Sequence, residues 1–220
     1  IIILDSGSND NTLKVAKKYT DNIHISDSWP GFGIQRQNAQ KLASSDWIFM
    51  LDADEVISEE LKNSIKESTK GEFSVYQVNR LSKAFGIEIK HSGWHPDWIN
   101  RLYPKNFTTY NDALVHETLI IPKNHLPKKL YGILHHETYQ NMKDYYQKMS
   151  LYIDAWSTEN INKKPNGVLI GFLRGTWAFF KMYIIKLGFL DGKVGFILAL
   201  LRLETTVMKY VDINTKNKKF

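Results

Sequence analysis

Six short segments decide how this chain is read: IIIL (1–4), NTLKVAKKY (11–19), NIHIS (22–26), QRQNAQKLA (35–43), WIFML (47–51) and SEELKNSIKES (58–68). Short apolar runs alternate with stretches whose apolar positions recur at helical spacing. That alternation predicts β-α-β-α-β-α and, from it, an α/β fold with a mostly parallel, Rossmann-like sheet flanked by helices. Ser58 is placed to cap the last of these helices, with Glu59 and Glu60 where the positive end of the helix dipole favours them. Past Gly71 the pattern becomes strand-rich and irregular, interrupted by Pro96, Pro104, Pro122 and Pro127. A long helix is expected from about Asn141 to Asn160, and Lys163-Lys164-Pro165-Asn166-Gly167 reads as a hinge after it. The organisation expected is an α/β domain over residues 1–138 and a helical region over 139–220, whose last part, 165–220, is basic and apolar.

Composition narrows the class. At 220 residues with 43% apolar and 24% charged, the chain is that of a globular protein, which excludes a disordered, collagenous or coiled-coil chain. It contains no cysteine, so disulfides, thiolate zinc sites and cysteine nucleophiles are excluded and any metal must be held by oxygen or imidazole. A cytoplasmic address is consistent with this. The first residues, Ile1-Ile2-Ile3-Leu4, are already strand-like and carry no secretory leader, so the chain is expected to lack an N-terminal portion.

The net charge of +6 is unevenly placed. Residues 1–164 hold 20 basic and 20 acidic side chains, whereas 165–220 hold 9 and 3, so the whole excess lies in the last part. That part is also the most apolar, and basic character combined with apolar character points to a membrane surface, not to nucleic acid. Arg174, Lys181, Lys186 and Arg202 interrupt its apolar runs, so the expectation is a segment lying on a bilayer instead of crossing it. Gly171, Arg174, Gly175, Ala178, Lys181 and Ile185 recur at steps of three and four, giving a narrow small and basic face. The alternative is that these helices pack on the preceding domain with their lysines solvated.

In an α/β sheet, ligands bind where strands end. After Ile1–Leu4 comes Asp5-Ser6-Gly7-Ser8-Asn9-Asp10, a small turn running into a helix, suited to a nucleotide base or phosphate but equally to an ordinary capped turn. After Trp47–Leu51 comes Asp52-Ala53-Asp54-Glu55. In an extended segment Asp52 and Asp54 point the same way, so their carboxylates converge unless a divalent cation or hydroxylated ligand separates them. Such hard oxygen ligands suit Mg²⁺ or Mn²⁺ bridging to a diphosphate, although solvated acidic turns are also common. Further on, Gly93-Trp94 offers a flat indole face for a sugar ring beside Asp97, Val115-His116-Glu117 carries a carboxylate at a strand-like position, and His135-His136 follows an apolar run. Each has a plain structural alternative: a core tryptophan, a turn aspartate, a satisfied histidine.

Taken together and in order, LDSGSNDNT, WPGFGIQRQNA, DWIFMLDADE, HSGWHPDWINRLYP, ALVHETL, ILHHE and WAFFKMYIIKLGFLDGKVG resemble the inverting family 2 glycosyltransferases. The resemblance is to the branch that adds glucose to the inner core of bacterial lipopolysaccharide or lipooligosaccharide, and it covers nearly the whole chain, including the basic apolar segment. Two features depart from it: the family begins with a further strand and helix, and Gln37 separates Arg36 from Asn38 where relatives often have the basic residue and Asn adjacent. The resemblance implies a GT-A fold with a C-terminal helical, membrane-associating extension, a UDP-sugar donor with glucose as the hexose, and Mg²⁺ or Mn²⁺. It places Asp5 and the Gly7 turn on the uracil, Arg36 and Asn38 in the donor pocket, Asp52 on the ribose with Ala53 beside it, and Asp54 on the metal with His135. The Gly93-Trp94 loop would face both substrates, and Glu117, or else Asp97, would be the base.

The implied partners are a UDP-sugar, a lipid-anchored core oligosaccharide and the inner face of the cytoplasmic membrane, with no nucleic acid. Two other readings stand beside this one. A metal-dependent nucleotidyl- or phosphoryl-transferase would use the same diphosphate site, and a non-catalytic membrane-bound sugar-binding partner would keep the scaffold alone.

Overall fold

The computed structural model describes residues 1–26, 28–114, 116–161 and 167–217. In chain order the elements are β1 (Ile3–Asp5), α1 (Thr12–Ala16), β2 (Ile23–Ile25), α2 (Phe32–Leu42), β3 (Trp47–Phe49), β4 (Glu55–Ile57), α3 (Glu59–Ser68), β5 (Tyr76–Ala84), β6 (Ile87–Glu88), β7 (Asp97–Pro104), β8 (Lys128–Tyr139), α4 (Met142–Asn160), α5 (Val168–Phe180) and α6 (Gly192–Lys216). The expected alternation over the first seventy residues is present, and the long helix begins where expected, its Asn141 side chain accepting the Asp144 N–H as an N-cap. The hinge expected at 163–167 lies, except for Gly167, outside the described residues.

The sheet differs from the expectation of mostly parallel strands. β1 and β2 pair in parallel, with α1 between them. The larger sheet has the order β3-β7-β5-β8-β4 with β6 on β5, and its registered pairs β3–β7, β4–β8 and β5–β6 are antiparallel. The reason lies in strand length. The helix-flanked strands of the first half are three residues each, whereas β5, β7 and β8 run to 9, 8 and 12 and supply most of the ladder. Those long strands come from the irregular second half, where no helices impose a parallel return.

The chain divides into two compact units that interleave along the sequence: residues 1–52, 60–78 and 99–131 in one, and 53–59, 79–98 and 132–220 in the other. The first unit is centred on Ile48, Val75, Tyr103, Tyr110 and Leu119, all buried, with Trp47 stacked on Phe73 at 5.2 Å. Gly33 explains part of the WPGFG stretch. A Cβ there would sit 2.0 Å from the Asn111 carbonyl oxygen, so the chain at 111–113 lies directly on the first turn of α2. The N–H groups of Phe32 and Gly33 donate to the carbonyls of Leu114 and Ala113, so that helix end is closed by backbone.

The second unit is built on Ala84, Ile89, Tyr139, Tyr145, Met182, Leu198, Ala199 and Leu201. Here α5 packs along α6 through its small face. A Cβ on Gly171 would lie 2.7 Å from the Tyr210 Cβ, and one on Gly175 would lie 2.9 Å from the Leu203 carbonyl oxygen. Arg174 lies over the Tyr210 ring at 5.5 Å. Gly171 and Gly175 of the expected narrow face thus lie in a helix–helix interface, whereas Arg174, Lys181 and Ile185 of that face are exposed, as are Leu169, Phe172, Leu173, Trp177 and Phe180. A π-helical turn, Lys181–Ile185, continues α5 without a break. Val168–Ile185 is long and apolar enough to cross a membrane by length and composition alone, with a mean hydropathy of 1.4.

Candidate functional site

The Asp5 turn in the first unit is organised by its own aspartate. Asp5 is buried at the end of β1, and Oδ2 accepts the N–H groups of Gly7 and Ser8 at 2.8 Å each while Oδ1 accepts the Ser8 hydroxyl at 2.5 Å. The Ser8 hydroxyl above all, together with these amides, holds the Asp5 carboxyl below its ordinary range. Both oxygens and two of the loop's amides are therefore engaged within the turn. The helix that follows, α1, is only five residues long.

Arg36 lies deeper, on α2. Its Nε donates to Glu117 Oε1 at 2.7 Å and its Nη2 to Asp52 at 2.7 and 2.8 Å, with the guanidinium 5.2 Å from the centre of the Tyr110 ring. Arg101, from β7, donates a second Nη2 to Asp52 Oδ2 at 2.7 Å. Two guanidinium groups and two carboxylates thus meet beside Tyr110. Glu117 directly follows His116, whose φ of +60° is unusual for a residue with a Cβ and marks backbone held against its preference. Asn38, expected with Arg36 in the donor pocket, stands two residues further along α2. Residues two apart on a helix are rotated by about 200°, and the Asn38 side chain accepts instead from Lys41 on its own helix at 3.3 Å.

The convergence expected of Asp52 and Asp54 rested on an extended backbone. Strand β3 ends at Phe49, and Ala53 and Asp54 form a turn, so strand alternation does not apply to them. Asp52 belongs to the Arg36 cluster of the first unit and Asp54 to the second unit.

In the second unit Asp54 meets a histidine, but not the one expected. His136 Nε2 is 3.5 Å from Asp54 Oδ2, and Lys148 Nζ of α4 is also 3.5 Å from that oxygen. His135 faces elsewhere, its Nδ1 lying 3.8 Å from Glu88. The cause is the pleat of β8, which sends adjacent side chains to opposite faces: Glu55, buried, pairs with His136, and Val56, exposed, pairs with His135. The ring of His136 is fixed by the hydroxyls of Ser82 and Thr138, each 3.1 Å from Nδ1.

A divalent cation would need oxygen or imidazole ligands. Among the described residues no three His, Asp or Glu side chains stand together as an ion cage. Asp54 and His136 supply one carboxylate and one imidazole at a spacing compatible with a shared ion. Lys148 Nζ lies against the same Asp54 oxygen, so an ion here would have to displace that ammonium and take its remaining ligands from substrate phosphates and water.

Beside His136 opens a cavity of about 290 Å³ lined by Arg80, Trp94, Asp97, Thr138 and Tyr139 among others. Arg80 binds Asp97 Oδ2 through Nε at 2.9 Å and Nη2 at 2.8 Å, and its Nη1 is 3.7 Å from the buried Glu55. Trp94 is half-buried, packed edge-to-face on Tyr139 at 6.2 Å, so it is partly a core residue and only partly a cavity wall. The sequence marks His135-His136 as a pair, with His135 taken for the metal, while Arg80, Arg101 and Lys148 are not singled out. Strand periodicity alone could have chosen His136, but nothing local marks the other three.

The Asp52 carboxyl is the most perturbed in this set. Burial disfavours its charge, but Arg101 and Arg36 outweigh burial and hold it at about 2 against an ordinary 3.8. With a lowered folded-state value, its contribution to stability is complete above pH 3.8 and is lost as pH falls towards 2. Stability measured by urea unfolding at stepped pH is expected to fall across this window more steeply in the wild type than in Asp52→Asn. Equal slopes would show that the two arginines do not hold this charge in the folded chain.

The model of glycosyl transferase family 2 matches residues 1–159. An uncharacterized glycosyltransferase, RP128, of Rickettsia prowazekii is 24% identical over 211 residues, covering 90% of this chain and 71% of the relative. The lipopolysaccharide core biosynthesis glycosyltransferase LpsC of Rhizobium meliloti is 34% identical over 71 residues, 30% of this chain and 26% of that protein. A crystal structure of S. aureus TarS residues 1–349 is 14% identical with a TM-score of 0.39, covering 99% of this chain and 81% of that one. The family match spans β1 to α4 and so includes the Arg36 cluster, Asp54, His136 and the Trp94 cavity. This chain belongs to glycosyl transferase family 2.

Proposed function

We propose that this chain is an inverting hexosyltransferase that moves a hexose, with glucose expected, from a UDP-sugar to a lipid-anchored core oligosaccharide at the inner face of the cytoplasmic membrane. The observation that carries this reading is the setting of Glu117, a half-buried carboxylate gripped by Arg36 through one oxygen and presented by the strained backbone of His116. An inverting transfer needs one such group. The acceptor hydroxyl oxygen attacks the anomeric carbon, the bond from that carbon to the diphosphate breaks with UDP departing, and the hydroxyl proton passes to the carboxylate. Arg36 fixes Oε1 of Glu117, and Oε2 makes no hydrogen bond among the described residues, which leaves it for the proton.

The nucleotide is proposed to engage the same unit through the Asp5 turn and Asp52. The Arg80–Asp97 pair and the edge of Trp94 are suited to sugar hydroxyls and a sugar face, and we assign that cavity to the acceptor. Asp54 and His136 would hold a divalent cation, whose chemistry when bound is to neutralise charge on the diphosphate. The likeness to LpsC, though it covers only 30% of this chain, supports a core oligosaccharide as acceptor.

The exposed side chains of α5, with Arg174, Lys181 and Lys186 close by, support a membrane surface as the place of action, since anionic headgroups attract each basic residue by about 1 kcal/mol.

Three outcomes test this reading. Glu117→Gln is expected to lower transfer by roughly two to four orders of magnitude with UDP-sugar binding retained in calorimetry; near-normal turnover would move the base to Asp97. Titrating Mn²⁺ by its spin resonance in the presence of UDP should show weaker binding in His136→Ala and unchanged binding in His135→Ala. The reverse pattern would assign the ion to the other face of β8. Replacing Trp177 and Phe180 together by Ser should release the protein from anionic vesicles without lowering its melting temperature, and undiminished co-sedimentation would remove the hairpin of α5 and α6 from the membrane.

A further inference from the structure

The cavity loop and the turn between α5 and α6 are fastened by a single carboxylate. Asp191 ends a 3₁₀ turn, Gly188–Asp191, and its side chain is only 3% exposed. Its Oδ1 accepts the N–H groups of Lys90 and His91 at 3.0 and 3.1 Å and lies 3.1 Å from His91 Nδ1, while Oδ2 accepts the Ser92 hydroxyl at 2.7 Å. From the other side, the Ser92 N–H donates to the carbonyl of Lys186 at 2.8 Å. Close approach reinforces these bonds. A Cβ on Gly93 would lie 3.3 Å from the Lys186 side chain, and one on Gly188 would lie 3.0 Å from the Ser92 hydroxyl.

This fastening holds backbone that would otherwise relax. Ser92 has φ +59° and Leu187 has φ +55°, both unfavourable for residues with a Cβ, so the surroundings must over-determine them. Directly after Ser92 come Gly93, Trp94, Pro96 and Asp97, all on the cavity wall. On the hairpin side, Ile184, Ile185, Leu187, Phe189 and Leu190 are exposed around the clamp. The apolar turn is therefore one layer of hydrogen bonds away from the cavity loop.

We propose that Asp191 is a positioning residue. It sets the Ser92–Asp97 segment from the hairpin turn, so that the acceptor cavity takes its shape from the same element that offers apolar side chains to the membrane. The assignment of acceptor binding to this cavity rests on the proposed transferase reading; the clamp itself rests on the bonds above.

The test uses the full chain with Asp191→Ala and Asp191→Asn, measured by steady-state transfer and by amide hydrogen exchange over residues 90–97. Misplacing a substrate-positioning element by about 1 Å can cost on the order of a hundredfold. Asp191→Ala is accordingly expected to raise the acceptor KM about tenfold or more, with donor KM unchanged, and to speed exchange in this segment. Asp191→Asn keeps an oxygen for the Lys90 and His91 amides and is expected to recover most of both. Unchanged acceptor KM and unchanged exchange in Asp191→Ala would overturn the proposal, as would an equal loss of donor and acceptor terms with a lowered melting temperature.

Should Asp191→Ala not fold, Ser92→Ala removes one bond and decides the matter: a raised acceptor KM supports the clamp and an unaltered one overturns it. A wild-type protein that transfers nothing would count against the transferase reading alone, and the exchange data would then decide the clamp.

Discussion

A guanidinium buried as deeply as that of Arg36 cannot stand without carboxylates, because an unpaired buried charge costs several kcal/mol. Meeting that demand gathers chain segments far apart in sequence: α2 provides the arginine, the turn after β3 provides Asp52, β7 adds Arg101, and the stretch after Tyr110 supplies Glu117. Both Asp52 oxygens and Oε1 of Glu117 are each held by a guanidinium donor near 2.7 Å, which is shorter and stronger than a neutral hydrogen bond. The chemistry proposed for Glu117 depends on this arrangement. A carboxylate on a loop would otherwise sample many rotamers, and here one of its oxygens has a single partner.

The same unit shows how glycine enters the argument through space. Gly33 lets residues 111–113 run across the first turn of α2, and the carbonyls of Ala113 and Leu114 then take the amides that the helix leaves open. That contact fixes the direction in which the chain leaves towards His116 and Glu117. It also settles what this helix end does. Its amides serve the fold, as those of Gly7 and Ser8 serve the Asp5 turn.

Much of the architecture was legible in the sequence because local patterns encode it. The order of short strands and helices over the first seventy residues, the capped start of α4 and the small face of α5 all follow from periodicity and cap chemistry. The pairing of strands was not legible in the same way. Whether β3 meets a parallel or an antiparallel neighbour depends on β7, some fifty residues away, and no local pattern carries that. The site was legible by composition more than by geometry. Asp52 and Asp54 stood out as a pair, yet the turn at Ala53–Asp54 removes the alternation on which their convergence depended. The His135–His136 choice was decidable in principle, since the strand that presents a buried Glu55 to His136 presents an exposed Val56 to His135. Arg80, Arg101 and Lys148 were invisible because a charged residue in a strand or helix reads as solvated until its partner is known.

In the second unit, packing and surface are two consequences of one sequence choice. Gly171 and Gly175 bring α5 so close to α6 that a Cβ at either position would collide with Tyr210 or the Leu203 carbonyl. Only one stripe of α5 can be used in so narrow a contact, which leaves Leu169, Phe172, Leu173, Trp177 and Phe180 without a place inside. Moving those side chains inward would require larger residues at the interface and a wider separation of the helices, which would shift the Gly188–Asp191 turn and the loop fastened to it. An exposed aromatic face and a precisely held cavity loop are therefore not independent features of this chain. The close helix contact leaves the aromatic face exposed, and Asp191, in the turn between the same two helices, ties that turn to the cavity loop.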